Sequence, residues 1–232
     1  MIEIFLNNWR YLLLGAFPNG PLGGLAMTLA LAISAIALTF PLAVLLALGR
    51  TMGASWLRVA IVTYVTVIRG IPLLMLLLWI YFFLPLVLGF PLSPFLTVLI
   101  AIVLFQVAYL SEVIRGGLDS LPKGQFEAAA ALGMSRSVML IKVILPQVLL
   151  NVLPGIMNLF TSVVKETSLA YVIALAELTY SASQINATLM VKPMQVYMML
   201  ALIYFALCWS VSAAAGWMDR RIATRRSQEP AT

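Results

Sequence analysis

Long apolar runs separated by short polar clusters set the rhythm of this chain, and the length of each run predicts what it becomes. Residues 22–48, 59–88, 92–114, 138–164 and 194–218 are each apolar over about 20 residues or more, the length at which an α-helix crosses a bilayer. A sixth run, 168–180, is apolar over only about 13 residues, which predicts a re-entrant segment or one tucked against the bundle. Residues 1–14 mix Ile4, Phe5, Trp9, Tyr11 and Leu12 with Glu3 and Arg10, the pattern of an interfacial helix. Pro18, Asn19, Gly20 and Pro21 then break the chain. No basic region precedes the first long run, and that run is too long for the core of a signal peptide, so the first segment is expected to be retained. The second run is interrupted by Arg69-Gly70-Ile71-Pro72, where a proline removes a backbone donor and predicts a kink.

The expected fold is therefore an all-α integral membrane protein of five transmembrane helices. An external interfacial segment occupies 1–19, a five-span domain 20–218 with a cytoplasmic loop at 116–137, and a basic tail 219–232. Within that loop, residues 124–146 read GQFEAAAALGMSRSVMLIKVILP, a helix-forming island between two spans. Residues 127–132 are good helix formers, and Gly133 stands where a left-handed residue would end the helix. Ser135 is placed to cap the next one. A short helix lying across the ends of two spans follows, offering Phe126, Leu132 and Met134 as apolar knobs and a small-residue face at 128–131 for close approach by another protein.

Composition agrees, since a chain that is 63% hydrophobic and 9% charged has too little polar surface to cover a soluble globule. The net charge of +6 is distributed by topology rather than gathered for nucleic acid. Arg50 and Arg58, then Arg115, Lys123, Arg136 and Lys142, then Arg220, Arg221, Arg225 and Arg226 share one side of a five-span chain, leaving Arg10 and Lys192 on the other. The positive-inside rule puts the first group in the cytoplasm and the N-terminus outside. Cys208 is the single cysteine and there is no histidine, which leaves no soft-metal cluster and no intrachain disulfide. No GxxxxGK[ST] phosphate loop, HExxH or GxSxG constellation is present, so neither ATP binding nor intramembrane hydrolysis is expected of this chain.

Polar residues inside apolar spans are costly unless paired or lining a cavity. In the fourth run Gln147, Asn151, Asn158, Ser162 and Lys165 fall within about 60° of one another at 100° per residue. Pro154 and Gly155 interrupt that run where a cavity could satisfy a loosened backbone. The stripe is either helix-to-helix glue or the lining of a water-filled path. Arg69 reads either as a partner for a carboxylate or as a structural contact. Glu112 and Arg115 have the spacing of a local ion pair, Lys165 and Glu166 point about 100° apart and so toward different partners, and Glu177 faces either an external vestibule or the bundle.

Glu127-Ala128-Ala129, Gly133, and Leu145-Pro146 resemble the EAA loop of ATP-binding-cassette importer permeases, with Val143 where isoleucine is usual. The flanks, 108–117 (AYLSEVIRGG), 123–125 (KGQ), 146–147 (PQ) and 165–169 (KETSL), resemble the polar amino acid subfamily (histidine, glutamine and glutamate/aspartate type), and the likeness runs from about Gly24 onward. The resemblance implies a type I importer permease in a bacterial inner membrane. Two cytoplasmic ATP-binding subunits would grip the helix around Gln125, Glu127, Ala128, Ala129 and Gly133. A second permease subunit, identical or homologous, would complete a path along Gln147, Asn151, Asn158, Ser162, Lys165 and Arg69. An external substrate-binding protein would deliver the amino acid, and ATP and Mg would sit in the partner ATPase, with no cofactor here. Residues 71–75 and 77–81 (IPLLM, LLWIY) resemble glutamate/aspartate permeases more than basic amino acid ones. A secondary, ion-coupled transporter needs no such cytoplasmic helix, and a membrane scaffold needs neither the stripe nor the broken second span.

Overall fold

The computed structural model describes residues 2–227; Met1 and the last five residues of the basic tail lie outside the described residues. Helix α1 (Ile2–Leu14) is followed by α2 (Gly24–Met52), α3 (Ser55–Arg69), α4 (Leu73–Leu88), α5 (Pro94–Ser120) and α6 (Lys123–Ala131). Helix α7 (Arg136–Val138) runs through a π-helical turn, Met139–Ile144, into α8 (Leu145–Asn151). Then come α9 (Leu153–Glu166), a 3-10 turn (Thr167–Ile173), α10 (Leu178–Leu189) and α11 (Pro193–Ser227). Among the described residues three helices are long and apolar enough to cross a membrane alone, and the number reaches five if each of two bent pairs is one span.

Both breaks fall where the sequence pattern interrupts the second and fourth runs, and their angles are larger than a kink implies. Helices α3 and α4 meet at 105°, far beyond a kink. Pro72 occupies the N-cap of α4 and has no N–H to carry the ladder on, while the Gly70 N–H closes α3 onto Thr66 and Val67 carbonyls, both at 3.1 Å. The fourth run breaks by 65° after Asn151, because Pro154 lies in the first turn of α9 and forces a new start. Earlier in the same run Pro146 has no N–H for the Lys142 carbonyl, and the turn before it widens to π. The first part of the expected basic tail, 219–227, continues α11 as helix.

Helices α2 and α5 form the central pair. Around them α3, α4, α9 and the 3-10 turn close one apolar cluster that includes Leu31, Leu77, Val98, Ile102 and Val163. A second cluster, with Ala47, Leu110, Ile114, Leu140, Ile144 and Val148, fills the end where the polar island emerges. A third joins α1, α10 and α11 through Leu12, Leu178, Ile185 and Val196. The short apolar run at 168–180 is tucked into the bundle, with Ala170, Ile173, Leu175 and Leu178 all buried. Helix α1 buries Ile4 and Leu12 while Phe5, Leu6 and Trp9 stay exposed.

Chain entry into α2 depends on glycine. Gly24 has φ +58°, and any Cβ there would strike the Leu12 carbonyl, so the turn after α1 folds back against α2 only without a side chain.

Candidate functional site

The polar island forms a helix four residues longer at its start than the sequence pattern suggests, because Pro122 serves as its N-cap. It ends in a Schellman motif: the Met134 N–H donates to the Ala129 carbonyl at 3.2 Å and the Gly133 N–H to the Ala130 carbonyl at 2.9 Å, with Gly133 at φ +73°. Ser135 is the N-cap of α7 by position, but its side chain makes no capping bond; its carbonyl accepts from Met139 instead. Gln125, Glu127, Ala128 and Leu132 are exposed, Leu132 at 76%. Two expectations need correcting here. Ala129 is buried under the helix, and Phe126 turns inward onto the second cluster, so neither faces outward.

Both limbs that carry α6 are held to the end of α2. Glu112 of α5 accepts from Arg115 at 3.0 Å, the local pair anticipated from spacing, and also from Arg50 of α2. Arg115 continues the chain to Asp119. Arg136, at the start of α7, donates to the Thr51 carbonyl at 3.2 Å. Gly117 of α5 lies so close to Val148 and Val152 that a single methyl at that position would overlap both.

The polar stripe is not one straight face, because the 65° break separates Gln147 and Asn151 from Asn158, Ser162 and Lys165. Gln147 is half-buried and returns its amide to the Val143 carbonyl at 2.9 Å. Asn151, Asn158 and Lys165 are exposed. The Ser162 hydroxyl donates to the Asn158 carbonyl at 3.2 Å. Asn158, Thr161 and Met157 line a cavity of about 190 Å³ against Ser212, Ala215 and Gly216 of α11. Arg69 is not among the residues lining that cavity; its guanidinium lies 5.3 Å from the centre of the Tyr109 ring, a cation–π distance.

Lys165 and Glu166 do diverge. Glu166 turns into the bundle, where the Gln106 amide nitrogen lies 2.7 Å from each carboxylate oxygen. Gln106 is buried on α5 and did not enter the expectations, although the rule that flagged Asn158 applies equally to an amide in the middle of the third run. Glu177 faces the bundle and is fully buried. It caps α10 by accepting from the Thr179 and Tyr180 N–H groups, both at 2.8 Å, and takes a third bond from the Tyr204 hydroxyl at 3.0 Å. The Leu178 N–H beside it donates to Thr28 of α2 at 3.1 Å.

Residues 39–224 match the family model described as binding-protein-dependent transport system inner membrane component. The chain is 37% identical over 209 residues to the inner membrane amino-acid ABC transporter permease protein YhdY of Escherichia coli, covering 88% of this chain and 57% of that protein, so it spans little more than half of that relative. It is 36% identical to the L-cystine transport system permease protein TcyB of Bacillus subtilis, covering 94% of this chain and 97% of that one. With the glutamate/aspartate import permease protein GltK of Escherichia coli O157:H7 it shares 35% identity over 87% of this chain and 93% of the relative. A solved structure described as an amino acid ABC transporter with histidines superposes with TM-score 0.77 at 32% identity, over 85% of this chain and 92% of that one.

Proposed function

Because the chain belongs to the family of binding-protein-dependent transport system inner membrane components, we propose that it is the permease subunit of an ATP-driven amino acid importer in a bacterial inner membrane. It is not an enzyme; ATP and Mg are bound, and ATP is hydrolysed, by the partner subunits. The observation that carries the reading is α6, whose Gln125, Glu127 and Ala128 are exposed while its base is clamped to α2 and α5. Two copies of a cytoplasmic ATPase grip this helix through that exposed edge and the cap at Gly133, and Ala129 supports it from beneath.

The chain crosses the membrane five times, each bent pair making one crossing, with its N-terminus outside and its C-terminus in the cytoplasm. A second permease subunit faces the exposed polar residues of α8 and α9. The path between the two copies runs along Asn151, Asn158, Ser162 and Lys165, with Gln147 and Arg69 at its margins. An external binding protein delivers a polar amino acid. The lean is toward glutamate or aspartate, the cargo named for GltK, supported by the stretch after Pro72. Closure of the ATPases on nucleotide displaces α6, and its two limbs, packed together at Gly117, pass that displacement to the bundle, so the path opens to one side at a time.

The test uses the whole assembly in liposomes. In a background lacking Cys208, cysteines at Asn158 and Ser162 should react with a hydrophilic thiol reagent at rates that change when nucleotide is trapped. A cysteine at the buried Ile156 should react slowly throughout. Labelling that ignores both face and nucleotide would return the stripe to helix packing. ATPase activity stimulated by liganded binding protein, assayed against each amino acid, identifies the cargo. Proton- or sodium-driven uptake without ATPase would instead favour a secondary transporter.

A further inference from the structure

A groove open to the side of the molecule lies between α2, α3 and α5, with no residue of α6 or α9 in its lining. It holds about 370 Å³, within the size range of small-molecule sites, and Leu46, Ala60, Ile61, Tyr64, Leu104 and Val107 are among its walls. Its one polar side chain is closed off, because the Tyr64 hydroxyl donates to the Leu104 carbonyl. What remains exposed is hydrocarbon.

The shape follows from local sequence. Helices α2 and α3 touch at their polar end, where a Cβ at Gly49 would stand 3.1 Å from Ile61 Cδ1. Beside that contact the small Ala60 leaves space, and the 105° bend at the far end of α3 carries α4 away from the gap. Arg58 precedes Ile61 by three residues and so lies about one turn nearer the polar end of α3, next to the Ile61 edge of the groove. Arg58 is exposed and anchored: its Nε donates to the Arg50 carbonyl at 3.2 Å, which leaves the other guanidinium N–H groups directed away from that bond. Trp56, 73% exposed on the first turn of α3, has the character of a residue at headgroup level.

The charges around this mouth do not cancel. Arg50 and Arg115 are answered by Glu112 and Asp119, while Arg58 and Arg136 bond only to carbonyls among the described residues. A positive, anchored guanidinium one turn from the Ile61 edge of a lateral apolar groove matches a ligand with an anionic head and a hydrocarbon tail.

We propose that this groove is a binding site for an anionic phospholipid, with one acyl chain lying along Ile61, Tyr64, Leu104 and Val107 and the phosphate of its headgroup held by Arg58. The leaflet, cytoplasmic, follows from the topology proposed above; the site itself does not depend on transport.

The intact assembly, incorporated in nanodiscs of equal phosphatidylglycerol and phosphatidylcholine, would be released in mild detergent and weighed by native mass spectrometry. Retained phosphatidylglycerol should exceed phosphatidylcholine at least fivefold per copy of this chain. Arg58→Gln should bring that ratio near one while some lipid is still retained. Ala60→Trp should remove most retained lipid of either kind, and Ala60→Leu, a gentler filling of an exposed helix position, should remove part of it. ATPase activity and complex yield serve as checks on assembly. The proposal is overturned if retention shows no headgroup preference, if Arg58→Gln leaves the preference intact, or if neither Ala60 variant lowers retention. A cysteine at Ala60 that cross-links to a second copy also overturns it, since the groove would then be a subunit contact.

Discussion

Two glutamates at opposite ends of the bundle are held in opposite ways. Glu177 is fully buried and answered by two backbone N–H groups and a tyrosine hydroxyl, with no cation bonded to it among the described residues. Glu112 is partly exposed and answered by Arg50 and Arg115, long side chains from two helices. Backbone donors at a helix start are fixed by the fold, so the Glu177 node holds α2, α10 and α11 in a single arrangement. Ion pairs between flexible side chains near water are individually weak and can be remade with new geometry at little cost. The end that carries α6 is thus built to be adjustable, and the Glu177 end to be fixed.

The comparison can be broken most forcefully at Glu177. Glu177→Leu leaves buried N–H and hydroxyl groups without an acceptor and should cost about 3 kcal/mol or more, read as lost assembly yield and a lowered Tm in detergent. Glu177→Gln keeps one acceptor oxygen and should cost clearly less. Equal, small losses from both would mean that the node is not a rigid fastening. At the adjustable end, Gly133→Ala places a Cβ in the left-handed region and should cost about 1–2 kcal/mol through the Schellman cap, with reduced ATPase recruitment. Glu127→Lys should impair recruitment at unchanged stability, because its side chain is exposed.

A finer test is the double-mutant cycle of Arg50→Ala and Glu112→Ala. Its coupling energy should be about 0.5–1 kcal/mol and should shrink in 1 M salt, whereas the Glu177 loss should not. A coupling of several kcal/mol, indifferent to salt, would erase the contrast between the two ends. The smallest effect is expected at Ser135→Ala, within about 0.5 kcal/mol, since the side chain caps nothing; a typical cap would cost about 1 kcal/mol.

Sequence pattern made the island legible because helix formers, a terminating glycine and a polar setting all act within a few residues of one another. It also located the breaks at Pro72 and Pro154, but not their angles, which depend on what each half packs against. The stripe of Gln147 to Lys165 is continuous only on a straight helix, and the new start at Leu153 splits it. The inward turns of Ala129 and Phe126 were illegible, since a nine-residue helix that is apolar on most sides does not announce which face meets the bundle. Partners across long separations were equally hidden: Arg50 with Glu112, Gln106 with Glu166 and Thr28 with the start of α10 are pairings of residues at least 60 positions apart.

The contact of Gly117 with Val148 and Val152 has a consequence for chain length. These residues stand on the two limbs that flank α6, and nothing larger than hydrogen fits between them. The intervening stretch therefore closes a loop of fixed circumference, and its ends cannot separate to take in extra residues. An added or deleted residue between Gly117 and Val148 would have to be absorbed by unwinding α6 or by shifting the register of the π turn. The exposed stretch 89–93 between α4 and α5 closes no such circuit. Insertions there should be accepted, whereas the same insertions in the loop around α6 should not.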